Sequence, residues 1–123
     1  MVIIRETEAR TTTTPGGTMA ALAGPSQGSE EISTWRVHMP AEARSPIHSI
    51  DRDQVWMPLA GTFEITVAEE PFTVSAGEAA VVPAGAERVV AAAKDAEALV
   101  CMRPDGTVSR PGVPGTTPVP WAQ

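Results

Sequence analysis

Few side chains in this sequence could do chemistry near neutral pH, and they are widely spaced. The histidines are His38 and His48, and Cys101 is the single cysteine. An imidazole titrates near neutrality and can move a proton. A guanidinium can pair with a carboxylate or stabilise an oxyanion, and a side-chain amide can orient a carbonyl or a water. Groups of this kind suit proton transfer next to a carbonyl.

The composition limits the functions open to this chain. Its 123 residues are 42% hydrophobic and 20% charged, which is typical of one globular domain. The formal net charge is -6 and no basic cluster occurs, so neither nucleic acid nor a membrane is an expected partner. One cysteine excludes an intrachain disulfide and a cysteine-based zinc site. Residues 1–10 lack the apolar stretch of a secretory signal, and we expect a cytoplasmic protein.

The elements that must position these groups are predicted to be short strands. Ten glycines and twelve prolines recur along the chain and leave few gaps for a long helix. The segments between them, several with alternating apolar and polar residues, are typical of strands. We predict strands over residues 2–4, 31–39, 54–67, 72–74, 79–82, 89–91 and 98–102. This spacing favours an all-β barrel or sandwich.

Three segments require a choice between alternatives. The alanines within residues 89–102 also suit a helix, but we favour two strands joined by a turn at Lys94 and Asp95. We predict a loop over residues 11–17. The tail, residues 103–123, carries five prolines, so we expect neither a helix nor a central strand there. It is expected to be disordered or to wrap over the surface, and Trp121 favours wrapping.

Alternation along the strands also predicts which side chains share a face. The pairs expected on one face are His48 with Ile50, Gln54 with Trp56, and Arg88 with Val90. His38 falls with Arg36, on the opposite side of its strand from Val37 and Met39. We therefore expect His38 at the surface.

Two stretches resemble the motifs of the cupin family. The first, residues 48–61, is similar to His-x-His, three or four residues, Glu, six residues, Gly. The second, residues 77–92, is similar to Gly, five residues, Pro-x-Gly, two residues, His, three residues, Asn. The glycine and proline positions of both motifs match, at Gly61, Gly77, Pro83 and Gly85. The resemblance, over roughly residues 35–102, implies a single-domain cupin antiparallel β-barrel of the double-stranded β-helix or jelly-roll type.

The resemblance also implies a division of the chain and an assembly. Residues 1–30 are expected as an N-terminal strand and loop, residues 31–103 as the cupin barrel, and residues 104–123 as a Pro/Gly-rich tail. Cupins that resemble this chain pair through edge strands and exchanged N-terminal segments. We therefore expect a homodimer in which residues 2–4 are exchanged, because a free strand edge is otherwise a liability.

The metal-ligand positions of the family depart from its pattern in this chain. The family takes two histidines and one glutamate from the first motif and one histidine from the second. Those positions hold His48, Ile50, Gln54 and Arg88. An isoleucine has no donor atom, an amide is a weak ligand, and a guanidinium is a fixed cation that repels a metal ion. We expect no metal and no other cofactor.

The resemblance places these side chains inside the barrel, on a mostly apolar cavity of the kind that binds small molecules. We interpret His48 as general acid or base, Arg88 as the anion stabiliser and Gln54 as the orienting group. The residues expected to contact the substrate are Met39, Ile50, Trp56, Val90 and Met102. The predicted function is a metal-independent enzyme of the isomerase, cyclase or dehydratase type, acting on a small carbonyl or carboxylate substrate.

Two other functions stay open. A non-catalytic protein could bind an apolar anion, with Arg88 as its counterion. A metal-dependent cupin, such as a dioxygenase, could take substitute ligands from His38 and from Asp51 or Asp53. That alternative requires His38 to face inward.

Overall fold

A computed structural model describes residues 1–123, and it is nearly all β. The strands are β1 (Thr11–Thr14), β2 (Gly17–Ala21), β3 (Ser33–Met39), β4 (His48–Ile50), β5 (Gln54–Ala60), β6 (Thr62–Val67), β7 (Glu70–Ser75), β8 (Ala80–Val82), β9 (Glu87–Ala91), β10 (Ala96–Met102), β11 (Thr107–Arg110) and β12 (Val113–Pro118). Three 3₁₀ turns span Glu8–Arg10, Pro25–Gln27 and Pro120–Ala122. No helix has the length and apolar character needed to cross a membrane.

The strands form two six-stranded sheets. The first, sheet A, has the order β1-β2-β3-β10-β5-β8, and the second, sheet B, has the order β12-β11-β4-β9-β6-β7. Every pairing is antiparallel. A core of 18 buried hydrophobic residues packs both sheets together. The predicted all-β jelly-roll fold is therefore confirmed.

Alternation decides which side chains enter this core. In β3, Trp35, Val37 and Met39 are buried, whereas His38 lies on the outer face. In β5, the inward positions begin with Gln54 and Trp56, and Pro58 follows. A strand places successive side chains on opposite faces, so a period of two in the sequence becomes an inner and an outer face. The predicted faces of β3 and β5 are confirmed.

A turn at Gly61 divides the predicted strand 54–67 into β5 and β6. Gly61 has a φ of 74°, and a Cβ atom there would lie 2.5 Å from the carbonyl oxygen of Asp95. Glycine meets both requirements because it has no Cβ. The choice made for residues 89–102 is also confirmed, since β9 and β10 are separated by a bend at Ala93 and Lys94.

One prediction about the N-terminal region is wrong, and another stays a prediction. Residues 2–4 form no strand within the chain, and Val2 and Ile3 are each 67% exposed. Their pairing by exchange with a second copy stays a prediction. Residues 11–17 are not a loop but contain β1 and the start of β2, joined by a turn at Pro15 and Gly16. The threonines of β1 are β-branched and suit a strand, and this preference outweighed their low hydrophobicity.

The expectation that the tail holds no central strand is wrong as well. Strand β11 lies between β12 and β4, and it contains no proline. Pro111 falls in the turn after it, and Pro114 and Pro118 lie on the edge strand β12, where prolines are tolerated. The end of the chain does wrap over the surface, since Val119 and Ala122 are buried.

Candidate functional site

His48, Gln54 and Arg88 come from three strands and two sheets. In sheet B, His48 on β4 lies directly opposite Arg88 on β9, so both side chains stand on the same face. The Arg88 guanidinium reaches across the core, where its Nη1 donates a hydrogen bond of 3.1 Å to Oε1 of Gln54 on sheet A. The structure therefore brings together the three residues singled out in the sequence.

Arg88 is a buried cation without a carboxylate partner. It is 1% exposed, and no ion pair involves it. Besides Gln54, its acceptors are backbone carbonyls: Nε and Nη2 donate to Ala86, and Nη2 donates to Pro83 at 3.2 Å. Burial lowers the pKa of Arg88 to about 10, so the side chain still carries its charge at neutral pH. Its charge is thus balanced by dipoles rather than by an anion.

Gln54 is fixed by two donors on one oxygen. Its Oε1 accepts from Arg88 and, at 3.3 Å, from Nε1 of Trp56, while its Nε2 contacts the sulfur of Met102 at 3.7 Å. The side chain is 3% exposed. Because that oxygen already accepts two hydrogen bonds, these contacts favour a role for Gln54 in holding Arg88.

His48 is a partly buried imidazole with one free nitrogen. Its Nδ1 lies 2.9 Å from the carbonyl oxygen of Pro46. A carbonyl only accepts, so Nδ1 carries the proton and Nε2 presents its lone pair. Burial lowers the pKa of His48, the Pro46 carbonyl opposes this, and the charges of Arg88 and Arg110 lower the pKa further. At neutral pH the imidazole is therefore in its basic, uncharged form.

Arg110 is a residue of this region that sequence reasoning missed. Strand β11 pairs with β4, with Val108 opposite Ile50 and Ser109 opposite Ser49. Continuing that register places Arg110 beside His48, on the side away from Arg88. Arg110 is exposed and has no ion pair. The only sequence signal was the alternation of residues 107–110, which the prolines around it obscured.

The predicted substrate-contacting residues lie in the hydrophobic core. Met39, Ile50, Trp56, Val90 and Met102 are all at most 7% exposed and belong to one packed cluster. Trp56 also makes an edge contact with Phe63, with ring centroids 5.4 Å apart. The structure brings these five side chains together, and their contact with a ligand stays a prediction.

The side chains at the family's metal positions do not fit a metal ion. Ile50 has no donor atom, the Gln54 oxygen is occupied, and Arg88 places a positive charge among them. No group of three His, Cys, Asp or Glu residues is arranged to hold a metal.

The substitute ligands do not converge either. His38 lies on the outer face, with its Nε2 3.1 Å from Asp95. The Asp53 carboxylate accepts from the backbone of Ala84, and the Asp51 carboxylate accepts from Thr107. The inward His38 that a substituted metal site requires is thus contradicted.

The chemistry available at this site is that of a neutral base beside a fixed cation. His48 can accept a proton at Nε2, and Arg88 supplies a positive charge in surroundings that exclude water. Charge interactions are stronger there than in water. The arrangement suits a reaction in which a proton leaves carbon or oxygen and negative charge develops nearby.

Comparison with solved structures identifies the fold. An RmlC-like cupin from Shewanella frigidimarina is 15% identical, with a TM-score of 0.65 and 85% of each chain covered. Salicylate 1,2-dioxygenase from Pseudoaminobacter salicylatoxidans, solved with gentisate, is 13% identical with a TM-score of 0.72; 83% of this chain and 31% of that chain are covered. An oxalate decarboxylase variant from Bacillus subtilis is 18% identical with a TM-score of 0.66. The match covers 76% of this chain and 26% of the decarboxylase chain.

Comparison of sequences gives a family but no individual relative. No curated protein matches this chain. The Cupin domain family (Cupin_2) matches residues 35–102, which is more than half of the sequence. This match spans both motifs and runs from β3 to the end of β10, the part of the two sheets that carries His48, Gln54 and Arg88. The chain therefore belongs to the cupin family.

Proposed function

We propose that this cupin binds a small organic carboxylate beside His48 and, without a metal ion, moves a proton at the carbon next to a carbonyl group. The observation that carries the proposal is the buried Arg88 cation, which has no carboxylate partner and lies opposite a neutral imidazole. A buried cation without a counter-ion is costly even when dipoles surround it, so a site that retains one is a candidate for binding an anion. That the protein works in the cytoplasm stays a prediction.

His48 would act as the base. Its Nε2 takes a proton from the substrate carbon, and the electron pair of the broken C–H bond moves towards the carbonyl, whose oxygen becomes an enolate. The protonated imidazole then returns the proton to a different carbon, which is an isomerisation, or to a departing hydroxide, which is a dehydration. The Pro46 carbonyl keeps Nδ1 protonated, so Nε2 is the nitrogen that exchanges the proton.

Arg88 would stabilise the negative charge, and Gln54 would position Arg88. The guanidinium is held by the carbonyls of Ala86 and Pro83, so its charge does not move when the enolate forms. A charge that is fixed beforehand needs no reorganisation during the reaction, and this is the main source of electrostatic catalysis. Gln54 acts through its hydrogen bond to Nη1.

The carboxylate class has limited support from the comparisons. Two of the similar enzymes are named for carboxylate substrates, salicylate and oxalate. At 13% and 18% identity this likeness shows the fold alone. The proposal therefore rests on the charge of Arg88 and on the state of His48.

Binding without turnover is the second candidate, and one observation favours it. The Arg88 guanidinium already makes four hydrogen bonds to protein acceptors and is 1% exposed. A ligand would then sense the charge of Arg88 from the His48 side without displacing those bonds. Such a protein would be stabilised by an anion and would release no product.

A deuterium-exchange screen tests both candidates. Untagged protein is incubated in D₂O with a panel of small keto and hydroxy carboxylates, with and without a chelator. NMR then follows deuterium at the carbon next to the carbonyl. We expect exchange that survives the chelator and is lost in His48→Ala. His38→Ala is the matched control because it removes the other histidine, on the outer face of sheet A.

The outcomes separate the alternatives. Stabilisation against unfolding without exchange favours the binding protein, and a ligand at about one hundred times its Kd adds about 2.7 kcal/mol. Exchange that disappears with the chelator and returns with one metal ion per chain contradicts the metal-independent reaction. If no carboxylate in the panel is exchanged or stabilises the protein, the proposed anion site is wrong.

A further inference from the structure

The hairpin of β11 and β12 adds a cation to the site from outside the residues matched by the cupin family. It follows residues 35–102, and its two strands extend sheet B beyond β4. Pro111 and Gly112 form the turn of the hairpin, and Gly112 has a φ of 75°. Proline fixes φ and glycine tolerates a positive φ, so both suit a tight turn. Arg110 directly precedes this turn, which fixes where its side chain begins.

Arg110 lies on the inner face of sheet B. Val108, two residues earlier, packs against the core, and residues two apart in a strand share a face. The pairing of β11 with β12 is irregular between Val108 and Arg110, but the extra residues there belong to β12, so β11 keeps its alternation. Burial is the main cause that lowers the pKa of His48, and the charge of Arg110 also lowers it, which agrees with this placement.

This arrangement gives one base a cation on each side. Arg110, His48 and Arg88 form a row across the neighbouring strands β11, β4 and β9. Neighbouring strands are about 4.8 Å apart, so the backbones of the two arginines are about 10 Å apart. Arg88 is buried and donates to protein acceptors, whereas Arg110 is exposed and has no ion pair. All six residues of β12 beside Arg110 are exposed, which leaves space for a ligand.

We propose that Arg110 selects the substrate class of this site: a keto acid whose reacting carbon lies between the carboxylate and the ketone carbonyl. The inference rests on the proposed function, because it requires His48 to act as the base. Arg110 binds the carboxylate through two parallel hydrogen bonds, for which a guanidinium has the matching geometry. The carbonyl then lies towards Arg88, whose buried charge stabilises the enolate oxygen. The order of cation, base and cation in the protein thus matches the order of carboxylate, carbon and carbonyl in the substrate.

This order distinguishes two kinds of keto acid. In a 3-oxo or 4-oxo acid, a carbon bonded to the ketone lies on the carboxylate side of it. Nε2 of His48 takes a proton from that carbon, the electron pair of the C–H bond forms the enolate, and the imidazolium returns a proton to the same carbon. In a 2-oxo acid the ketone is bonded directly to the carboxylate. Held by Arg110, such an acid places its ketone at His48 and its reacting carbon beyond the base.

A single probe, 4-oxopentanoate, tests the order within one molecule. Its ketone is flanked by a methylene group on the carboxylate side and by a methyl group on the other side. NMR follows deuterium exchange at both groups with the untagged full chain. Each rate per hydrogen is divided by the rate with free imidazole, which removes the intrinsic difference in acidity. We expect the methylene to exchange about tenfold faster than the methyl group, because proton transfer requires the reacting carbon to be positioned at the base. 2-Oxobutanoate, measured in the same way, should exchange more slowly than this methylene.

Variants of Arg110 identify the residue responsible. Arg110→Ala should abolish the preference for the methylene and raise the concentration of 4-oxopentanoate for half-maximal exchange about twofold to fivefold, since an exposed charge contributes modestly to binding. Arg110→Lys keeps the charge without the paired hydrogen bonds and should retain part of the preference. Arg5→Ala is the matched control, because Arg5 is also an exposed arginine without an ion pair. It should leave both quantities unchanged.

The outcomes separate this inference from the proposed function. Three results would overturn the substrate class: equal exchange at the two groups, a preference that survives Arg110→Ala, or faster exchange of 2-oxobutanoate. Exchange that is lost in His48→Ala would still support the base in those cases. If neither acid shows exchange that depends on His48, the proposed function is wrong and this inference with it. The wild-type preference needs no variant, so it decides the question even if Arg110→Ala fails to fold.

Discussion

Two regions of this molecule differ in whether their basic side chains have acidic partners. On the outer face of sheet A, Arg36 pairs with Glu6 and Glu97, and His38 pairs with Asp95. Along sheet B, the row of Arg110, His48 and Arg88 contains no carboxylate within ion-pair distance. The same residue types therefore occur once with acidic partners and once without them.

The comparison shows that the lack of an acidic partner is costly only for a cation that is also buried. The chain has 15 acidic and nine basic residues, so a shortage of carboxylates does not explain an unpaired cation. Exposed cations such as Lys94 also lack ion pairs, but water solvates them at little cost. Arg88 is 1% exposed and has no carboxylate partner, and we attribute its retention to the proposed carboxylate ligand.

The largest effect is expected from removing the buried cation. Arg88→Ala removes one hydrogen-bond donor from Gln54 and from each of the carbonyls of Ala86 and Pro83, and it leaves a void in the core. We expect the free energy of unfolding to fall by about 3 kcal/mol, measured by urea denaturation. Arg36→Ala, on the outer face of sheet A, should lower the free energy of unfolding by only about 0.5 kcal/mol. Equal losses in the two variants would remove the distinction between the regions.

A pH titration of stability tests whether folding lowers the pKa of His48. The folded state lowers the pKa of His48 below its ordinary 6.5, so as the pH falls the unfolded chain takes up this proton first. The contribution of the group to stability is complete above pH 6.5 and decreases as the pH falls from there towards the folded pKa. His48→Gln should lose this component in urea denaturation at successive pH values. Imidazole NMR signals of His48 that titrate above pH 6.5 would contradict burial as the dominant influence on its pKa.

A smaller effect is expected from removing Arg110, the exposed end of the row of Arg110, His48 and Arg88. Once a stabilising carboxylate is identified, Arg110→Ala should weaken its binding by about twofold to fivefold, and the loss should shrink at high salt because Arg110 is exposed. Arg36→Ala is the matched control and should leave binding unchanged. Calorimetric titration of the three proteins at two salt concentrations measures this. An unchanged Kd in Arg110→Ala would restrict the anion site to His48 and Arg88.

The smallest effect is expected from removing His38, on the outer face of sheet A where the basic side chains have acidic partners. His38 lowers the pKa of Asp95 through a hydrogen bond, with a second contribution from the backbone of Ala41. His38→Ala should therefore raise the pKa of Asp95 towards its ordinary 3.8, as followed by carboxyl NMR. Proton transfer and anion binding should be unaffected. Loss of either would show that the outer histidine takes part in the function.

The sequence by itself determined much of the strand framework. The alternation through residues 54–67 predicted the strand structure that became β5 and β6, and the positive φ of Gly61 explains the turn between them, because both features are local. A period of two and a positive φ depend on residues next to one another in the chain. The same alternation placed His38 opposite Val37 and Met39 and put Gln54 on one face with Trp56, whereas the family resemblance was needed to place that face inside the barrel.

Only the tertiary structure decided which of these residues meet. Gln54 and Arg88 lie on different sheets, and their contact depends on how β5 and β9 pack. Arg110 lies beside His48 because β11 pairs with β4, in a tail that its prolines had predicted to stay outside the sheets. Pairings between strands distant in the chain are set by the whole core and not by nearby residues, so local patterns do not encode them.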